Sequence, residues 1–596
     1  MNSPLGTSAI DLSPHPKLAA TNPVDGNREI EGAARSQLPN PNRRRSVGDS
    51  IVATVEIGVT PLIEPKTAKQ LLSIAGILGL SCLGWHGIAR AISVGEAGID
   101  ARRLHDPPYN LRGRKIAIGQ VEIGRPAQFG LDKYTLPVGG TAPAGVFFRN
   151  APAQSDTNLD GHAQSVAGVM VSSAKAVPGV APEARLYSAG AALGMGMNRQ
   201  EQECLTTQHV AEQNGNDVRA INFSFGEPLY LDPRPDAQLD GNALLTLCVD
   251  WSASAHNVLY AIAGNQGSGG IPIPTDNFNG INVAFSREEE GVFRQVDVSN
   301  LGSVFTGVES RLVGLETNVD GRRLVNILAP GRNVDLIDRE GTVSQNTGTS
   351  FASPHVAATV ALLQEYGDRQ LSSRQPHWSL DARRHEVMKA VMLNSAEKVA
   401  DSGDGLLQGM TRTISDKQSS DWFASDAHND RVIPFHGDMG TGHLNAYRAY
   451  EQFSPGQWKS SSPVPPIGWN YDRITVGESR EYILEKPLQA GSHVALTLSW
   501  NRVVELNDTN GNDRYDEGET FLDRGLNDLN VYLMPLEEND PANSIWSSES
   551  EVDSTEHVFH AVPETGRYKI RVEYNRQAND DTQPYALAWW TVPARD

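Results

Sequence analysis

Ser350 stands in the run Gly348-Thr349-Ser350-Phe351-Ala352-Ser353-Pro354-His355, directly ahead of the apolar stretch 356–363. Pro354 suits a first helical turn, where its missing N–H is no loss. The segment therefore predicts a sharp turn that places one hydroxyl at the start of a long buried helix. Amides at such a start face whatever lies beyond them, so negative charge developing beside Ser350 is favoured. A serine nucleophile attacking a carbonyl needs that environment. Ser and Thr are also ordinary helix caps, so the partners matter. His162, in Asp160-Gly161-His162-Ala163-Gln164-Ser165-Val166-Ala167-Gly168, opens a second helical pattern and could act as general base. Asn265 follows the β-rich stretch 257–263 in a Gly264-Asn265-Gln266-Gly267 turn, where a side-chain amide could donate to an oxyanion. Glu122 ends the apolar strand pattern 115–121 and is followed by Ile123 and Gly124.

Taken together, these four segments resemble the acid, histidine, asparagine and serine boxes of the subtilisin-like proteases. The resemblance implies Ser350 as nucleophile, His162 as base, Asn265 as oxyanion donor and Glu122 as the acid that orients the imidazole. It also implies that Ser224, Phe225 and Gly226, in Ala220-Ile221-Asn222-Phe223-Ser224-Phe225-Gly226, line a strand that pairs with an extended peptide, with Gly264 facing it. Main-chain pairing of that kind supplies affinity, and side-chain pockets supply specificity. Two departures stand out. Glu122 occupies the place of an aspartate, with Ile123 where a small hydroxyl residue is usual; Asp132 and Asp160 are the alternative acids. Ala163, Gln164 and Ser165 replace the usual Gly, Thr and His beside the base. The related sedolisins use a Ser-Glu-Asp site with an aspartate in the oxyanion position. His162 and Asn265 favour the subtilisin chemistry. Gly440-Thr441-Gly442-His443-Leu444-Asn445-Ala446 looks like the closing segment of a subtilase catalytic domain, so the resemblance spans roughly residues 95–453.

The elements that must position these groups read as an α/β fold. Apolar strand patterns at 115–121, 185–189, near Ile221 and near Leu259 alternate with helix-length segments, which predicts a parallel sheet covered on both faces. Ligands then bind at the carboxyl ends of the strands, where Glu122 and Asn265 both fall. A second packing helix is expected over 387–396. Beyond the Ser- and Pro-rich stretch 460–466, period-two patterns (Val494, Leu496, Leu498, Trp500; Leu529, Val531, Leu533; Tyr568, Ile570, Val572, Tyr574) predict an antiparallel β-sandwich resembling the jelly-roll-like domains of secreted bacterial proteases. The expected organisation is a disordered segment over 1–70, an apolar segment over 71–93, a catalytic domain over 95–453, a linker over 454–467 and the sandwich over 468–596. Within the sandwich, Asp508, Asn510, Asn512, Asp516 and Glu519, with the Arg514 carbonyl, match the oxygen spacing of a calcium loop. Asp513 stands where that motif uses glycine. Calcium is therefore the expected cofactor, and an acidic solvated hairpin loop is the alternative.

The chain has 596 residues, 39% hydrophobic and 21% charged, with a formal charge of −21. That charge disfavours nucleic acid and anionic membranes as partners; the resemblance implies a polypeptide substrate, and the oligomeric state is not readable. The apolar run 71–85 is short for a membrane span, so no stable span is expected. Its basic flank and following Ala-x-Ala have the layout of a secretory signal, which implies a secreted or envelope protein, or a cytoplasmic one if the run is a buried helix. Three cysteines make no disulfide framework; Cys204 and Cys248 are expected as buried thiols, with pairing the alternative. The leading expectation is a serine endopeptidase. Its rivals are a catalytically silent peptide-binding module and a maturation protease with one dedicated partner.

Overall fold

A computed structural model describes residues 92–133, 140–191, 199–264, 272–297 and 317–595, all within one compact unit spanning Ile74–Asp596. The expected disordered and signal-like segments lie outside the described residues, apart from the last two positions of the latter.

The first half is built on a nine-stranded sheet: β1 (Ala117–Glu122), β2 (Gly145–Phe148), β3 (Ala151–Pro152), β4 (Arg185–Gly190), β5 (Val218–Phe223), β6 (Leu259–Ala263), β7 (Ile281–Glu289), β8 (Val292–Val296) and β9 (Ile327–Pro330). The order is β3-β2-β4-β1-β5-β6-β7-β8, with β9 also on β7; only β3 and β8 run antiparallel to their neighbours. Every residue of β1 and β5 is buried, because helices cover both faces. On one face lie α1 (Gly161–Val171) and the 24-residue α4 (Thr349–Ser372), packed on each other, with α4 also on β5, β6, β7 and β9. On the other lie α2 (Arg199–Ala211) and α3 (Leu244–His256). Cys204 and Cys248 form a disulfide that joins these two helices, so the expectation of two free buried thiols is overturned. Helix packing brings together residues 44 apart in sequence, which spacing alone does not reveal.

Two further helices, α5 (His385–Asn394) and α6 (Ala446–Phe453), lead to the second half. Ten strands follow: β12 (Ile467–Thr475), β13 (Ser479–Ile483), β14 (His493–Trp500), β15 (Val504–Asn507), β16 (Thr520–Asp523), β17 (Asp528–Pro535), β18 (Trp546–Ser548), β19 (Thr555–Ala561), β20 (Tyr568–Arg576) and β21 (Thr582–Trp590), the small hairpin β10 (Val334–Ile337) and β11 (Val343–Asn346) having preceded them. Two four-stranded antiparallel sheets, β12-β21-β14-β19 and β13-β20-β17-β18, enclose the core that the alternating pattern predicted, including Val494, Leu496, Leu498, Val531, Ile570 and Val572. The outer face of β14 is not solvated as such patterning usually implies. α5 packs on β14 and β21, and Trp469, Ala586 and Ala588 join the core of the first half. Residues between the two halves are held as well: Trp458 stacks on His377 at 3.7 Å, and Gln457 N–H donates to the His377 carbonyl. Among the described residues no helix is long and apolar enough to cross a membrane.

Candidate active site

Glu122 is the last residue of β1 and His162 the second of α1. Between them the chain is closed like a zip. Arg125 N–H donates to the Asn158 carbonyl and Asp160 N–H to the Arg125 carbonyl, each at 2.9 Å. Gly124 permits that approach, since a Cβ there would lie 2.5 Å from the Asp160 Cβ. Asp160 caps α1, its carboxylate accepting from the His162 and Ala163 amides. The result is a hydrogen bond of 3.3 Å between Glu122 Oε2 and His162 Nδ1. Glu122 is 1% exposed and His162 38% at the side chain, so the acid is enclosed and the base faces the opening. Burial disfavours the imidazolium, but the charge and hydrogen bond of Glu122, then the charge of Asp160, outweigh it and hold His162 above its ordinary value.

The alternative acids have other work. Asp160 is the cap. Asp132 makes a bidentate pair with the fully buried Arg125, at 2.8 and 3.0 Å, and accepts the Gln128 and Asp156 amides. Arg125 also donates to the Thr157 carbonyl, so the pair braces the loop after β1 against the approach to α1. This brace escaped the sequence reading; an Arg and an Asp seven residues apart give no local signal of a buried pair. Gln120 and Gln164 were missed too. Gln120 Nε2 donates to the Ala163 carbonyl, and Gln164 Oε1 accepts from the Ala127 amide. The unusual Ala163-Gln164 therefore supports the placement of α1 and carries no proton.

Ser350 is the second residue of α4. Gly348 enters the helix at φ 153°, a conformation that side chains disfavour, with its N–H on the Gly331 carbonyl. The end of β5 grips this helix start. Ser224 Oγ donates to the Ser350 carbonyl at 2.8 Å, Asn222 Nδ2 donates to Ser224 Oγ, and Ser353 Oγ donates to Asn222 Oδ1. The Ser350 hydroxyl donates to the Ser224 carbonyl at 3.2 Å. The rings of His162 and Phe351 lie 5.6 Å apart, which brings the starts of α1 and α4 together at the carboxyl ends of β1 and β5. Phe225 is buried and Gly226 half-buried beside Ser224. β6 ends at Ala263, and Gly264 donates to the Val283 carbonyl; Asn265 itself lies outside the described residues.

A parallel sheet with helices on both faces and a serine, a histidine and a carboxylate at its strand ends defines a subtilisin-like α/β architecture. Residues 142–411 match the model of the subtilase family. The match covers His162, Asn265 and Ser350 and begins after Glu122. The chain is 24% identical over 328 residues to Subtilisin Savinase of Lederbergia lenta, covering 54% of this chain and 100% of that protein. It is 24% identical over 329 residues to an alkaline protease of Alkalihalobacillus alcalophilus, covering 55% of this chain and 71% of that one. Among solved structures it resembles the MycP3 protease of the type VII (ESX-3) secretion system, with TM-score 0.37, 15% identity, and 61% of this chain and 89% of that one covered.

The calcium-type loop lies between β15 and β16. Its side chains are engaged with the loop itself. Asp508 accepts the Asn510, Gly511 and Asp513 amides; Asp516 accepts from the Asn510 and Asn512 side chains; Glu519 accepts from Thr509 and the Asp516 amide. Asp513 takes the left-handed conformation, φ 59°, that the motif's glycine would adopt. Arg514 pairs with Glu212 at 2.8 Å. Among the described residues no group of three or more His, Cys, Asp or Glu is gathered to hold a metal ion.

Proposed function

We propose that this protein is a serine endopeptidase that hydrolyses peptide bonds through Ser350, His162 and Glu122, with Asn265 as oxyanion donor. The observation that carries the reading is the 3.3 Å contact of Glu122 Oε2 with His162 Nδ1. It leaves Nε2 as the ring atom able to take a proton from Ser350. For attack, the Ser350 hydroxyl leaves the Ser224 carbonyl and donates to His162 Nε2. Catalytic contacts are often loose before substrate arrives. His162 then takes the proton, the Ser350 oxygen bonds to the substrate carbonyl carbon, and the buried Glu122 stabilises the imidazolium. Charge on the substrate oxygen is met by the Ser350 N–H at the start of α4, with the Asn265 amide as second donor. His162 returns its proton to the leaving amine, and water releases the acyl group by the same steps. Glutamate is a methylene longer than aspartate, and here its carboxylate lies 3.3 Å from His162 Nδ1. The buried disulfide supports the export reading, because such bonds persist in oxidising compartments. Reaction of the whole protein with a serine-directed fluorophosphonate, followed by mass spectrometry, tests the reading. An adduct on Ser350 is expected, absent in Ser350→Ala; a protein that stays unlabelled overturns it.

A further inference from the structure

Helix α2 is fastened at three points. Its Cys204 is bonded to Cys248 of α3. Its Gln208 exchanges two hydrogen bonds with Tyr515 of the C-terminal half: Nε2 donates to the Tyr515 carbonyl at 3.1 Å, and the Tyr515 amide donates to Oε1 at 2.7 Å. The third point reaches the candidate site. Arg199 Nε stands 2.9 Å from Glu227 Oε1, and Glu203, one turn further along α2, faces the same carboxylate. Glu227 lies three residues past Ser224, and its amide and carbonyl pair with Ile273 at 2.8 and 3.1 Å. Its side chain thus tethers the segment that continues from Ser224, Phe225 and Gly226.

The tether has an unusual charge balance. Glu203 and Glu227 are 0% and 1% exposed, and apart from Arg199 and each other their oxygens have no partner among the described residues. The charged groups facing Glu203 are Glu227 and Arg199. Two enclosed carboxyls beside one cation cannot both ionise without uncompensated buried charge. Burial first, and Glu227 second, push Glu203 well above the usual carboxylate range, with Arg199 opposing. We infer that Glu203 and Glu227 are positioning residues: while Glu203 keeps its proton beside Glu227 and Arg199, the cluster holds the segment beyond Ser224 in register for an extended peptide, and peptide binding weakens when Glu203 loses that proton. The inference rests on reading Ser224–Gly226 as the peptide-binding strand. A group whose folded value is raised holds its contribution below the ordinary carboxylate range and loses it as pH climbs through the folded value.

The test is binding of a fluorescein-labelled casein peptide to the whole protein carrying Ser350→Ala, followed by anisotropy from mildly acidic to alkaline pH. The Kd should be level on the acidic side and then rise by up to about tenfold per pH unit beyond the titration. Adding Glu203→Gln should flatten the curve, since the amide donates as the protonated acid does and does not titrate. Arg199→Gln, at a partly exposed position, should move the rise to higher pH, because the cation that favours ionisation is gone. A flat parental curve, or a Glu203→Gln curve that coincides with the parental one, overturns the inference while phosphonate labelling of Ser350 leaves the proposed function standing. A peptide that binds at no pH overturns the peptide-binding reading and this inference with it.

Discussion

At the scale of single residues, the pairing of Glu122 with His162 is the point where chemistry and pH meet. His162 must be neutral to take the Ser350 proton, and its partners hold it above the ordinary imidazole value. The acid limb of kcat/KM is therefore expected above that value, with activity rising as pH climbs through it. Glu122→Gln removes the charge that favours the imidazolium. The limb should then move to lower pH, while turnover on its plateau falls by orders of magnitude, about 10⁴-fold for the comparable loss in a Ser-His-Asp enzyme; pH–rate profiles of the two proteins check both effects. An unchanged profile would remove Glu122 from the mechanism. Ser350→Ala should abolish casein hydrolysis and leave the melting temperature near that of the parent, because among the described residues its hydroxyl makes one hydrogen bond, to the Ser224 carbonyl.

At the scale of elements, β1 and α1 are set by the strip of chain that joins them. Gly124→Ala places a Cβ 2.5 Å from that of Asp160, so the zip must open and carry the Glu122 strand end away from His162. The expected result is a protein destabilised by about 1–3 kcal/mol whose activity falls further than its stability explains; urea unfolding and kcat/KM measured together separate the two. The loop 508–519 is the other element with a sharp test. Calcium binding there is a proposal carried by sequence spacing, and it requires the carboxylates to give up their amide partners. If they do, calcium at a hundredfold excess over Kd adds about 2.7 kcal/mol and raises the melting midpoint by a few degrees. Asp508→Ala with Glu519→Ala should erase the shift. Melting curves that coincide in calcium and in chelator would leave the loop as a hairpin whose Tyr515 and Arg514 dock on α2.

At the scale of the whole molecule, the two halves share one interior. Arg502, 2% exposed at the side chain, reaches from the sandwich to the buried Asp250 on α3 with bonds of 2.6 and 3.0 Å. Its backbone trades hydrogen bonds with Asn279. Arg502→Met keeps much of the volume but strands the Asp250 carboxylate, so a loss of about 3–5 kcal/mol is expected. Because α5, α6 and the sandwich sheet bury one another, unfolding should remain a single transition in calorimetry. Two separated transitions would show that the halves fold independently.

Much of the site was legible because its signals are local. Helix starts at Asp160 and Gly348, the apolar strand ending at Glu122 and the alternation through β14, β17 and β20 are consequences of capping, turn chemistry and side-chain period. Such features need only near neighbours. What the tertiary structure alone decided depends on groups distant in sequence. Arg125 needed a folded loop to meet Asp132 in a buried pair. Cys204 and Cys248 needed α2 and α3 packed side by side. Glu203 and Glu227 needed α2 packed beside the segment beyond β5 to be enclosed together. The outer face of β14 carries Ala495, Thr497 and Ser499, a pattern that fits solvent; it is covered because Thr497 Oγ1 meets Asn394 at the end of α5. Burial of polar groups is a property of the assembled interior, and no local period announces it.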